Sequence, residues 1–274
     1  MLDHDLLERS MPTHDKSSEL VPPSRRLLSL FSVYLHWYIG RHFHAMRVAN
    51  GSRFPRESGP LIVYANHASW WDPLTFVVIS RYFLPTASHY GPMDAAALKH
   101  YGFLRKLGLF PLEAGTRRGA AQFLRAAGEI LSTSNSVLWV TPEGRFTDMR
   151  TRPAVFRPGL AAVVARLGAC TLVPLATEYT FWDERLPEIL MCCGKPIEVV
   201  GRRSTEEWSE QLAAGLADAQ DELTALAMLR DPDRFETVLS GRVGISGVYE
   251  GWKRFSAFLT GRDYKASHGS IRHL

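Results

Sequence analysis

Short apolar runs alternate with helical repeats along the chain. Residues 61–64 (LIVY), 109–112 (LFPL), 136–140 (SVLWV) and 171–179 (TLVPLATEY) are apolar and rich in β-branched or aromatic side chains. This is the pattern of buried strands, the last of them interrupted at Pro174. Between them, residues 73–83 continue as a helix, and residues 95–107 predict a second helix stopped by Gly108. Ala120, Phe123, Leu124, Ala127 and Leu131 recur at helical spacing within 116–131, and residues 156–168 read as a loop and a helix. Farther on, Ser204 and Glu207 form a capping box. It heads a long amphipathic helix carrying Leu212, Leu216, Ala219, Leu223 and Leu226 and ending near Asp231-Pro232. Strands alternating with helices predict an α/β fold, a central and largely parallel sheet flanked by helices. No internal repeat or low-complexity segment breaks the pattern.

The flanking segments read differently. Residues 1–24 are acidic and polar, lack the basic start and apolar run of a signal peptide, and predict a mobile tail. Residues 25–48 are apolar and aromatic over 27–39 and then carry Arg41, His42, His44 and Arg47. The apolar run is shorter than the ~20 residues needed to cross a bilayer. It fits two readings equally: a helix lying in a membrane interface with Tyr34, Trp37 and Tyr38 as anchors, or an amphipathic helix packed on the core. The expected organisation is a polar tail over 1–24, an N-terminal interfacial helix region over 25–55, a core over 56–203 and a C-terminal helical extension over 204–274. In that extension Trp252, Lys253, Arg254, Phe255, Phe258 and Arg262 mix aromatic with basic residues.

Composition narrows the class without naming a chemistry. With 274 residues, 46% hydrophobic and 22% charged, the chain can bury one large core and is not of the disordered class. A net charge of +4 favours an anionic surface and leaves nucleic acid and membrane both open. Lys and Arg are scattered, however, with no basic helix or aromatic platform of the kind nucleic-acid binding uses. The three cysteines, Cys170, Cys192 and Cys193, offer neither a disulfide framework nor zinc-ligand spacing and point to a reducing compartment.

Candidate chemistry begins with His67, five residues before Asp72, a spacing at which a base and its orienting carboxylate can be built. The same spacing recurs at His89 and Asp94. Context separates the two. His67 follows the strand 61–64 and Asn66 at a strand-to-helix corner, where reactive groups gather in open α/β sheets. His89 lies between Pro85 and Gly91-Pro92, a loop setting with no strand to deliver it. A plainer reading of the first pair makes His67 a turn histidine and Asp72 a helix N-cap before Pro73. The strand 136–140 then feeds a Thr141-Pro142-Glu143-Gly144 turn, leaving Glu143 and Arg145 at a second strand end.

In their order, Asn66-His67-x4-Asp72, Gly108 to Glu113, Pro142-Glu143-Gly144 and Val173-Pro174 resemble the four motifs of the glycerolipid acyltransferases, the lysophosphatidate (1-acylglycerol-3-phosphate) acyltransferase family. The likeness spans residues 60–180, and Phe156 and Gly159 add a family-like Phe-x-x-Gly turn. It implies an O-acyltransferase in which His67 is the general base for an acceptor hydroxyl attacking an acyl thioester, and Asp72 holds the imidazole. The nucleophile then belongs to the substrate, and no GxSxG-type elbow is present. No metal or other cofactor is implied beyond the acyl donor, acyl-CoA or acyl-carrier protein. Implied partners are membrane lipids, at the cytoplasmic membrane surface. Asn66, Glu143, Gly144 and Arg145 fall at substrate-binding positions, with Arg145 one place from the family's usual arginine. Val173-Pro174-Leu175 matches the strand bordering the acyl region. The family also places an arginine after the second motif to grip an acceptor phosphate, and here Ala114 stands there. Arg117 and Arg118 lie within a turn as substitutes. The departure opens two further readings: a phosphate-free acceptor such as a glycolipid, aminolipid or isoprenoid, or an inactive lipid-binding relative.

Overall fold

The computed structural model describes residues 20–52, 54–55, 59–166, 169–201 and 203–241. Most of the predicted polar tail and the aromatic-basic segment around Trp252 lie outside the described residues. The elements are α1 (Arg25–His42), β1 (Ala45–Ala49), β2 (Leu61–Ala65), α2 (Asp72–Phe83), β3 (Ser88–Asp94), α3 (Ala95–His100), β4 (Leu109–Leu112), α4 (Arg117–Leu131), β5 (Ser136–Val140), α5 (Gly159–Arg166), β6 (Thr171–Thr180), β7 (Glu188–Cys193), β8 (Ile197–Glu198), α6 (Thr205–Met228) and β9 (Phe235–Ser240).

The strands form one sheet in the order β4-β3-β5-β2-β6-β7-β1-β9, with β8 paired to β6. Pairs β3·β4, β3·β5, β2·β5, β2·β6 and β1·β7 are parallel, while β6·β7, β6·β8 and β1·β9 are antiparallel. Helices cover both faces, which is why β2 and β5 are buried at every residue and read as unbroken apolar runs. Alternation divides their side chains. Leu61, Val63, Val137 and Trp139 meet α1 and α2 on one face, and Ile62, Tyr64, Leu138 and Val140 meet α4, α5 and α6 on the other.

Four expectations change. Residues 95–107 do not make one helix: α3 ends at His100 and a 3-10 turn, Gly102–Leu107, follows. Gly102 weakens the helix there, and Gly108 then closes the turn at φ 96, where a Cβ would fall 2.0 Å from the His89 carbonyl oxygen. His89 is not in a loop but in β3. Pro174 does not interrupt β6. Pro92 in β3 and Pro174 in β6 both sit where a strand changes partner: β3 pairs with β5 through Tyr90 and with β4 from Gly91, and β6 gives Leu172 to β8 and Leu175 to β7. A missing N–H costs little at such a gap. Finally, Asp72 does not cap its helix. Trp71 occupies the N-cap, and the Asp72 carboxylate turns back toward residues 67–69.

The segment after residue 204 forms the expected long helix and then returns as β9, and β1 joins the same sheet, so both flanks supply strands. In α1, Leu28, Ser32, Leu35 and Ile39 face the core, while Leu30, Val33, Tyr34 and Trp37 form an exposed strip. Leu20 packs on the core, and Ser24 donates its N–H to the Lys106 carbonyl at 2.8 Å.

Candidate active site

The carboxyl ends of β2, β5 and β3 converge with the far half of β6, which overhangs β2. Chain leaves β2 through Asn66, whose side chain is buried and locks onto β6: its Oδ1 accepts from Thr177 N at 2.8 Å and its Nδ2 donates to Thr177 O at 2.9 Å. Asn66 therefore fixes the corner and has no face free for a substrate. His67 follows it. The turn closes with Asp72 N donating to Ser69 O at 3.1 Å, and this fold-back brings Asp72 Oδ2 to 2.8 Å from His67 Nδ1.

Asp72 is fully buried. A carboxylate stripped of water must be satisfied by donors, and three meet it. His67 Nδ1 and Ser69 N (3.0 Å) reach Oδ2, and the Tyr179 hydroxyl donates to Oδ1 at 2.5 Å. Burial, followed by the Asp72 charge and this hydrogen bond, pushes the Tyr179 phenol well above its ordinary value, so it stays a donor. With Nδ1–H pointed at Asp72, His67 Nε2 keeps its lone pair, the arrangement of a general base. The Phe146 ring lies 4.5 Å from the imidazole, centroid to centroid.

Glu143 lies beneath the histidine. It is buried, and its Oε2 accepts the His67 backbone N–H at 2.6 Å, while Thr147 N donates to His67 O at 2.8 Å. Burial pushes the Glu143 carboxyl up, and the bonds from His67 and Thr147 partly oppose it. Its present engagement is thus with the backbone of His67. Gly144 turns the chain at φ 61, and a Cβ there would lie 2.5 Å from Arg157 Nε, so glycine leaves room for the guanidinium.

An apolar cavity of about 260 Å³ opens beside His67, walled by Phe76, Val77, Leu107 and Trp139. A second, of about 470 Å³, is lined by Ala114, Arg117, Phe123, Gly144 and Arg157. The two share Pro92, Val140 and Thr141. Of the candidate guanidinium groups, Arg118 lies 3.9 Å from Glu113, whereas Arg117 and Arg145 are exposed and pair with no described carboxylate. Asp148, three residues from Arg145, is held by Arg150 at 2.8 Å. The structure thus joins Asn66, His67, Asp72, Glu143 and Gly144 into one cluster, puts Arg117 on the second cavity and leaves Arg118 on the surface. Sequence reasoning missed Tyr179, Thr177, Thr147 and Arg157. A signal existed for two of them, because Thr177 and Tyr179 continue the alternation of Val173 and Leu175 on the face toward α2.

A family model described as Acyltransferase matches residues 45–178. Among solved structures, the crystal structure of the 1-acyl-sn-glycerophosphate (LPA) acyltransferase PlsC from Thermotoga maritima is similar, with TM-score 0.53 and 16% identity. The match covers 73% of this chain and 80% of that one, and at that identity it is a likeness of fold. No curated protein is significantly similar in sequence.

Proposed function

The chain belongs to the acyltransferase family through residues 45–178, and on that premise we propose that it moves a fatty acyl group from acyl-CoA or acyl-carrier protein to a hydroxyl of a lysophospholipid or related lipid. The observation that carries this reading is His67, held by the buried Asp72 at the edge of an apolar cavity. His67 Nε2 takes the proton of the acceptor hydroxyl as its oxygen attacks the thioester carbonyl. The tetrahedral adduct then expels the thiolate, which receives that proton from the imidazolium. Base action of this kind is worth typically about 10²–10⁴-fold.

The cavity beside His67 suits the acyl chain, and the larger one across the Pro92–Val140–Thr141 wall suits the acceptor. Arg117 and Arg157 supply that second cavity with positive charge, so an anionic acceptor fits it. Ala114 favours a second reading in which the acceptor carries no phosphate, as in a glycolipid, aminolipid or isoprenoid. An inactive lipid binder has less support, because the pair His67–Asp72 is assembled. The exposed Leu30, Val33, Tyr34 and Trp37 of α1, with Arg25, Arg26 and Arg41 on the same helix, support peripheral docking on a cytoplasmic membrane surface. No described helix is long and apolar enough to cross a membrane.

The test supplies purified protein with labelled acyl thioesters and paired lysolipids, with and without phosphate, and identifies products by mass spectrometry. Acylated lipid is expected from the wild type, and His67→Ala is expected to lose about 10²–10⁴-fold in rate. Equal rates for the two proteins would sink the reading, and a preference for phosphate-free acceptors selects the second one.

A further inference from the structure

We propose that Tyr179 is a positioning residue of this site: its hydroxyl grips the far oxygen of Asp72 and so sets both the orientation of that carboxylate and how strongly it draws on the His67 Nδ1–H. The inference rests on His67 being the base of the reaction above.

Tyr179 comes from β6, remote in sequence from the 67–72 turn, and its ring packs against Phe43 at 5.9 Å. It is the donor to Asp72 that does not come from the turn itself. Ser69 N and His67 Nδ1 both reach Oδ2. Without the phenol, Oδ1 of a carboxylate with no solvent access has no described side-chain donor, and the carboxylate is free to rotate about Cβ–Cγ. The phenol also draws charge toward Oδ1. Its bond at 2.5 Å to an ionised acceptor is of the strong, charge-assisted kind. Charge drawn to Oδ1 is charge withheld from Oδ2, so Tyr179 moderates the pull on the imidazole. Asn66, on the same turn, ties β2 to β6 through Thr177, two residues from Tyr179, which keeps the phenol in register with the carboxylate.

Among the described residues, Asp72 from α2 bonds the imidazole, Tyr179 from β6 reaches it through Asp72, and Glu143 from the loop after β5 holds the His67 backbone N–H. His89 and Asp94 of β3 line the same cavity. Because Glu143 titrates within reach, the readout must belong to His67 itself.

The experiment follows the imidazole titration of His67 by ¹H–¹⁵N NMR, assigned with His67→Gln, alongside kcat and KM against pH. Two variants are compared with wild type: Tyr179→Phe, and full-length protein with a fluorotyrosine at position 179. Tyr179→Phe removes the donor, so Asp72 pulls harder and the His67 midpoint rises. The acid limb of kcat moves with it while KM for the thioester stays. Fluorotyrosine is a stronger donor that keeps the ring and is expected to move the midpoint down. A merely structural role moves neither midpoint in opposite senses. Midpoints unmoved, or both moved the same way, overturn the proposal. If the midpoints move as expected while His67→Ala retains full activity, the positioning stands and the acyl-transfer reading fails.

Discussion

His67–Asp72 and His89–Asp94 use the same two residue types five positions apart, yet their side chains meet different partners. Residues 67–72 leave the end of β2 and fold back through the Ser69–Asp72 turn, so the carboxylate returns to the imidazole at 2.8 Å. Residues 89–94 run extended inside β3, which at about 3.3 Å per residue holds the two residues ~16 Å apart. Each half of the second pair is spent locally. His89 Nδ1 accepts from Trp139 Nε1 at 3.1 Å, its Nε2 donates to Leu84 O at 3.0 Å, and Asp94 Oδ1 caps α3 by accepting from Ala97 N at 2.9 Å. The lesson is that backbone path decides what a spacing means: a turn makes the residues neighbours and a strand separates them. Burial then divides the histidines further. His89 is pushed down to about 4, chiefly by burial, and is neutral in the fold.

The contrast can be broken most sharply at Asp72. Asp72→Asn keeps the shape but swaps an acceptor oxygen for an amide and favours the wrong imidazole tautomer. Acyl transfer should fall by roughly 10²–10⁴-fold in kcat. A steady-state assay that found kcat intact would reduce the first pair to the status of the second.

A smaller effect concerns pH and the second pair. The folded value of His89 lies below its ordinary 6.5, so from 6.5 down to about 4 the unfolded chain binds a proton that the folded chain refuses. The stability tied to neutral His89 is complete above 6.5 and is lost as pH falls across that window, on the order of 3 kcal/mol in all. Urea unfolding across the window should show the loss in wild type and a shallower one in His89→Gln. Parallel curves would mean that His89 titrates normally. Smallest of all, Asp94→Ala should cost about 1 kcal/mol in the same unfolding assay, the worth of an N-cap. A much larger cost would mean that Asp94 does more than cap α3.

Of the nine strands among the described residues, β2, β4, β5 and β6 were legible, β2 and β5 because burial on both faces leaves an apolar run, whereas β7, equally buried, was passed over. LIVYA and, after Ser136, VLWV lack the alternating polar residues that a half-exposed strand would show. Pro92 and Pro174 misled because a proline signals a break locally, whereas its tolerance depends on which neighbouring strand is absent at that residue. That is a tertiary fact. Strand β1, AMRVA, is short and holds a charged Arg47, whose guanidinium donates to Glu188 at 3.0 Å and to Thr237 at 2.6 Å, both on strands far along the chain. At the site, the motif order located His67, Asp72 and Glu143. It did not convey that Glu143 supports the His67 backbone from below, or that a tyrosine from β6 completes the environment of Asp72. Both depend on β5 and β6 flanking β2, an order set by packing.

The place of β1 in the sheet also has a consequence for synthesis. Its Arg47 bonds with Glu188, 141 residues onward, and with Thr237, 190 residues onward. At about 5–20 residues per second, a ribosome needs roughly ten to forty seconds to supply the second of these partners. Until the first partner is made the nascent chain carries an unpaired strand, and until the second a half-paired one, next to a helix bearing tyrosine and tryptophan. Chaperone capture or premature membrane contact therefore has its widest window at this edge, well after the β2–α2 turn bearing the histidine has been made.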